Sequence, residues 1–89
     1  MDKKVAVVTG GSAGIGEAAC RALAADGWHV IVAARRVERC RGIADEIGGA
    51  ALELDVTDEA SVDKLAKLPR VDLLVNNAGG AKELDLLRD

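Results

Sequence analysis

The chain has 89 residues and a mass of 9.2 kDa, enough for one small domain. Hydrophobic residues make up 49% of it, but sixteen of them are alanine and Trp28 is the lone aromatic, so the core is aliphatic and thin. A net charge of −3 argues against a general binder of nucleic acid or anionic membranes, and 30% charged residues beside regular apolar segments exclude a disordered chain.

The longest apolar runs, such as residues 30–34, have strand length and do not span a bilayer. Met1-Asp2-Lys3-Lys4-Val5 leads into a short run broken by Thr9-Gly10-Gly11, which does not read as a signal peptide. Cys20 and Cys40 form no CxxC pair, and His29 is the one histidine, so neither a disulfide framework nor a zinc site is expected. Two small buried thiols in a reducing compartment, the cytoplasm, are the expectation.

Strand-like and helix-like stretches alternate along the chain. Residues 4–9 (KVAVVT) are a nearly unbroken β-branched run, the pattern of a strand covered on both faces. Residues 14–26 read as a helix with Ala18, Ala19, Ala22 and Leu23 on its inner face, closed by Gly27. Residues 29–34 (HVIVAA) form a second buried strand. Val37, Cys40, Ile43, Ala44 and Ile47 then recur at helical spacing, so residues 36–47 make an amphipathic helix stopped by Gly48-Gly49. A short third strand covers residues 50–54. Thr57 is expected to cap a third helix with Asp58 and Glu59 in its first turn, burying Val62, Leu65, Ala66 and Leu68 before Pro69. Residues 71–75 (VDLLV) form the fourth strand, and a short tail occupies residues 81–89.

This βαβαβαβ order predicts an α/β fold, a Rossmann-like three-layer αβα arrangement that is half of a doubly wound parallel sheet. Right-handed crossovers put helices on both faces of a parallel sheet, and the doubly wound order then lays the four strands as 3-2-1-4. The domain is expected to cover residues 1–80.

The stretch Thr9-Gly10-Gly11-Ser12-Ala13-Gly14-Ile15-Gly16 lies between the first strand and the first helix. Glycines at 10, 14 and 16 permit a tight turn and let backbone amides approach a ligand closely. The helix start adds unpaired N–H donors and partial positive charge, suited to a pyrophosphate. A glycine turn that binds nothing is the alternative, and the missing Gly-Lys-Ser/Thr excludes a Walker-type phosphate loop.

Here the sequence resembles the short-chain dehydrogenase/reductase family. TGGSAGIG matches its Thr-Gly-x-x-x-Gly-x-Gly element, Leu54-Asp55-Val56 its acidic element after the third strand, and Asn76-Asn77-Ala78-Gly79 its Asn-Asn-Ala-Gly element. The resemblance implies that Gly10, Ser12, Ile15 and Gly16, with Gly14 in the same turn, line the pyrophosphate and ribose of a dinucleotide. It places Asp55 and Val56 at the adenine, and Asn77, Ala78 and Gly79 beside the cofactor ribose. Asn76 is expected to tie neighbouring strands together. Asp55 has a second reading as a cap of the third helix.

An acid at the end of the second strand would favour NAD. This chain has Ala34 there, followed by Arg35 and Arg36, and residues 35–41 hold four arginines against Glu38. Guanidinium groups at this place suit the 2′-phosphate of NADP, with NAD the weaker ligand. A solvated basic helix start is the alternative, disfavoured because cations there oppose the helix dipole. The family often adds a basic residue in the glycine loop, where this chain has Ala13, so a weaker phosphate clamp is expected.

The family's proton donor is the tyrosine of a Tyr-x-x-x-Lys pair with a nearby serine, and this chain contains no tyrosine. The resemblance therefore implies the NADP(H)-binding portion of an oxidoreductase, inactive alone because its catalytic half is absent. The alternative is a non-catalytic nucleotide-binding or self-assembling Rossmann fragment, truncated or engineered. With the fourth strand at a sheet edge, a homodimer through that edge is expected, Leu84, Leu86 and Leu87 packing against the partner.

Overall fold

In the computed structural model, residues 3–10, 14–55 and 57–76 are described. Strand β1 is Val5–Thr9, helix α1 Gly14–Ala25, β2 His29–Ala34, α2 Val37–Ile47, β3 Ala50–Glu53, α3 Glu59–Ala66 and β4 Leu73–Asn76. All three strand pairings are parallel and the sheet order is β3-β2-β1-β4, so the expected topology is correct. Each crossover carries a helix back over the sheet. The first two step outward from β1, and the third returns past β1 to its other side.

Side-chain alternation along the strands builds two cores. Val8, Val30 and Val32 face one side, where Cys20 and Leu23 of α1 and Cys40, Ile43 and Ala44 of α2 pack on them. Val7, Ile31 and Ala33 face the other, against Leu52, Leu54, Leu65, Leu68 and Leu74. That two-sided covering is why β1 and β2 lack polar alternation: Val7, Val8 and Val32 are wholly buried. Burying a valine contributes roughly 1.5–3 kcal/mol, so a few such residues offset the absence of large aromatics.

Three expectations need correction. Ala19 and Leu23 face the sheet as expected, but Ala18 and Ala22 are exposed, and Cys20 and Ala24 complete the inner face in their place. Larger side chains on one edge of the apolar stripe rotate the helix toward themselves. In α3 the cap is Asp58, whose side chain accepts the Ala60 N–H; Thr57 stands outside the helix. Ala66 is exposed, while Ser61 is the buried residue of that helix.

The entry to β4 is held by a carboxylate. Asp72 donates its backbone N–H to the Val5 carbonyl at 2.8 Å, and its Oδ2 accepts the Val5 N–H at 2.8 Å. Arg70 Nε donates to the same oxygen at 2.7 Å. Asp72 thus pins the start of β4 to the start of β1, and the strand proper begins one residue later, at Leu73.

Candidate functional site

Because all four strands run parallel, their carboxyl ends lie along one rim of the sheet. Gly10 follows β1, Arg35 follows β2, Asp55 lies two residues past β3, and Asn76 ends β4. The crossovers diverge between β1 and β4, and open sheets of this type hold ligands in the crevice at such a point. Thr9 and Asn76 face each other there in the strand register. The Thr9 hydroxyl lies 2.9 Å from Asn76 Oδ1 and 3.3 Å from the Val75 carbonyl oxygen. Asn76 therefore ties β4 to β1, as expected from the sequence.

Of the glycine turn, the described residues Gly10 and Gly14 have backbone that glycine favours. Gly10 has φ +66° and Gly14 φ +56°, conformations strained for other residues. Gly16 is buried in the first turn of α1, whereas Ile15 beside it is 78% exposed, an apolar side chain presented to solvent. Ser12 of this turn lies outside the described residues, as do Val56, Asn77, Ala78, Gly79 and the tail with Leu84, Leu86 and Leu87.

Arg35 and Arg36 are both exposed at the carboxyl end of β2. Arg36 occupies the N-cap of α2 in extended backbone, with no side-chain cap bond, so its guanidinium is not used to close the helix. The helix begins at Val37, the first residue of its apolar period and one residue later than the expected start at 36. Leu54 donates its N–H to the Ala34 carbonyl at 3.0 Å, extending the β2–β3 ladder by one step. That bond sets Asp55 beside Arg35.

Asp55 is held at several points. Its backbone N–H donates to Ser61 Oγ at 2.7 Å, and its carbonyl accepts from the Asp58 N–H at 3.0 Å. Its side-chain Oδ1 accepts two bonds from Thr57, from the N–H at 3.0 Å and from the hydroxyl at 2.6 Å. Those bonds, and more weakly the charge of Arg35, hold the Asp55 carboxyl below its ordinary range against the opposing effect of burial. No hydrogen bond from a described residue reaches Oδ2. Asp55 is not the cap of α3, since Asp58 has that role. Sequence reasoning missed Thr57 and Ser61 as supports of this carboxylate, although Asp-x-Thr is the spacing of an Asx turn.

A parallel sheet with a positive-φ glycine turn after its first strand, and polar groups gathered at the carboxyl ends, defines a Rossmann-like fold. The family model described as short chain dehydrogenase matches residues 4–88, and the chain belongs to that family. It is 59% identical over 61 residues to an uncharacterised oxidoreductase of Mycobacterium tuberculosis, covering 68% of this chain and 24% of that protein. It is 42% identical over 95 residues to the 3-oxoacyl-[acyl-carrier-protein] reductase FabG of Escherichia coli, covering 99% of this chain and 39% of the reductase. Among solved structures, the Pseudomonas aeruginosa RhlG/NADP active-site complex superimposes with a TM-score of 0.78 at 36% identity, covering 89% of this chain and 36% of that one. The chain thus spans well under half the length of these proteins.

The family binds a nicotinamide dinucleotide, and the site residues fit one. Gly10 and Gly14 take positive φ, the arginines are exposed, and one carboxylate oxygen of Asp55 is unengaged by the described residues. No group of His, Cys, Asp or Glu among the described residues has the arrangement of a metal site, and no described helix is long and apolar enough to cross a membrane.

Proposed function

We propose that the 89 residues are the NADP(H)-binding portion of an oxidoreductase of the short-chain family. The observation that carries this reading is the pair Arg35 and Arg36, exposed after β2, with Ala34 where an NAD-selective acid would stand. The RhlG complex, named with NADP, is a related protein that supports the choice. In this reading Gly10, Ser12, Gly14, Ile15 and Gly16 line the pyrophosphate and its ribose, Asp55 and Val56 meet the adenine, and Asn77, Ala78 and Gly79 pass beside the nicotinamide-side ribose. The cofactor supplies a hydride, and a carbonyl substrate also needs a proton donor for its developing alkoxide. With no tyrosine in the sequence, these residues alone bind cofactor without turning over a carbonyl substrate.

Calorimetric titration with NADP⁺ and NAD⁺ tests the reading. Charge-assisted hydrogen bonds to the 2′-phosphate contribute about 1.5–3 kcal/mol, so NADP⁺ binds about ten- to a hundredfold more tightly, and Arg35→Ala removes most of that margin. Equal affinity for the two cofactors in the unaltered chain overturns it.

A second reading, a self-assembling nucleotide-binding module, draws on the edge position of β4. Among the described residues no strand pairs with its outer side, and uncovered edges recruit other chains. We therefore also propose a homodimer joined along β4, acting in the reducing cytoplasm that two free buried cysteines suit. Sedimentation showing a monomer at high micromolar concentration refutes the dimer.

A further inference from the structure

We infer that Thr57 and Ser61 are positioning residues that aim Oδ2 of Asp55, which no described residue engages, at the exocyclic amine of the cofactor's purine. The inference rests on the reading above that places the adenine at Asp55, and it assigns to these two side chains the purine selectivity of the site.

A carboxylate on a rim loop is ordinarily free to rotate, and either oxygen then meets solvent. Here both Thr57 donors converge on Oδ1, at 2.6 Å from the hydroxyl and 3.0 Å from the backbone N–H. Two donors on one oxygen fix the plane and rotamer of the group, and among the described residues Oδ2 is left as the unengaged acceptor. Ser61 acts one bond further back. Its side-chain oxygen, in a residue only 8% exposed, accepts the Asp55 N–H at 2.7 Å and so sets the backbone from which the carboxylate projects.

Neither contact is needed to start α3, because Asp58 already caps that helix by accepting the Ala60 N–H at 3.0 Å. The Thr57 hydroxyl therefore serves the carboxylate and not the helix. A fixed acceptor discriminates between purines. The 6-amino group of adenine donates to it, whereas the 6-oxo group of hypoxanthine presents an oxygen that a carboxylate repels. Selectivity arises because a correctly placed polar group is left unpaired by the wrong ligand.

The test measures binding of NADP⁺ and of its hypoxanthine analogue by calorimetry in the unaltered chain and in Thr57→Val, Thr57→Ser and Ser61→Ala, each checked for folding by circular dichroism. The unaltered chain and Thr57→Ser should prefer the adenine cofactor about tenfold or more, and Thr57→Val and Ser61→Ala should bring the ratio to within about threefold of unity. A purely structural role would weaken both ligands equally and leave the ratio untouched. Nuclear magnetic resonance titration of the carboxyls, with no cofactor present, gives a second readout: Asp55 should titrate at higher pH in Thr57→Val than in the unaltered chain. A full preference retained in Thr57→Val overturns this inference and leaves the cofactor reading standing. Failure of the unaltered chain to bind either dinucleotide overturns both.

Discussion

Gly49 and Gly42 offer the same substitution with opposite expected signs. Gly49 sits between the left-handed cap Gly48 (φ +71°) and β3, and its own φ is not positive, so alanine is permitted there by backbone conformation. Space is what forbids it. A Cβ on Gly49 would land on the Val30 carbonyl oxygen and lie 3.2 Å from the Val30 carbonyl carbon. Both atoms are backbone of the central strand β2, so relief requires moving the β3 approach away from the sheet. Overpacking of this sort costs about 1–3 kcal/mol, which for a domain this small lowers the melting temperature by about 5–20 °C. Gly42 lies on the exposed side of α2, where an added Cβ meets nothing within 4 Å. Alanine there gains about 0.5–1 kcal/mol of helix stability, a rise of about 2–8 °C. Thermal unfolding followed by circular dichroism compares the two variants with the unaltered chain. The reasoning is refuted if Gly49→Ala melts at or above the parent temperature, or if both variants lose stability alike.

The Asp72 carboxyl is held below its ordinary range chiefly by the Val5 N–H, helped by Arg70 and Lys4 and opposed by burial. A depressed folded-state value means that the stabilisation is complete above the ordinary carboxylate range and is lost as pH falls through the lowered value, so Asp72→Asn should flatten the acid side of a melting-temperature profile. A profile as steep as that of the unaltered chain contradicts this role. Burial, with a smaller contribution from neighbouring Cys40, pushes the Cys20 thiol up to about 11, and burial raises Cys40 as well. At neutral pH neither thiol should react with an aromatic disulfide reagent until denaturant is added, and prompt labelling of the folded chain would show the packing around them to be wrong.

Much of this molecule was legible from local pattern. Unbroken apolar runs at residues 5–8 and 30–34 announced strands covered on both faces, because only a buried parallel strand has no use for polar alternation. Glycines at 10, 14, 27 and 48 marked turns, and all four adopt positive φ. The covering of both sheet faces followed from crossover handedness, a property of every L-amino-acid chain, and the strand order from the doubly wound pattern that such alternating elements share. These features depend on residues close in sequence or on rules common to all sheets.

Other features waited for the tertiary structure because they are decided between residues far apart. The inner face of α1 falls on Cys20, Leu23 and Ala24, not Ala18 and Ala22, since an alanine-rich helix has a weak apolar stripe and its rotation is chosen by the sheet and by α2. Asp72 was only one polar residue in an apolar run, yet its carboxylate meets the N–H of Val5, 67 positions away. Thr57 read as the cap of α3 from its place in the sequence, but its hydroxyl goes to Asp55 and Asp58 caps the helix. Each candidate donor or acceptor had several partners within reach along the chain, and only the packed backbone, with β3 laid beside β2 and α3 folded over it, chose among them.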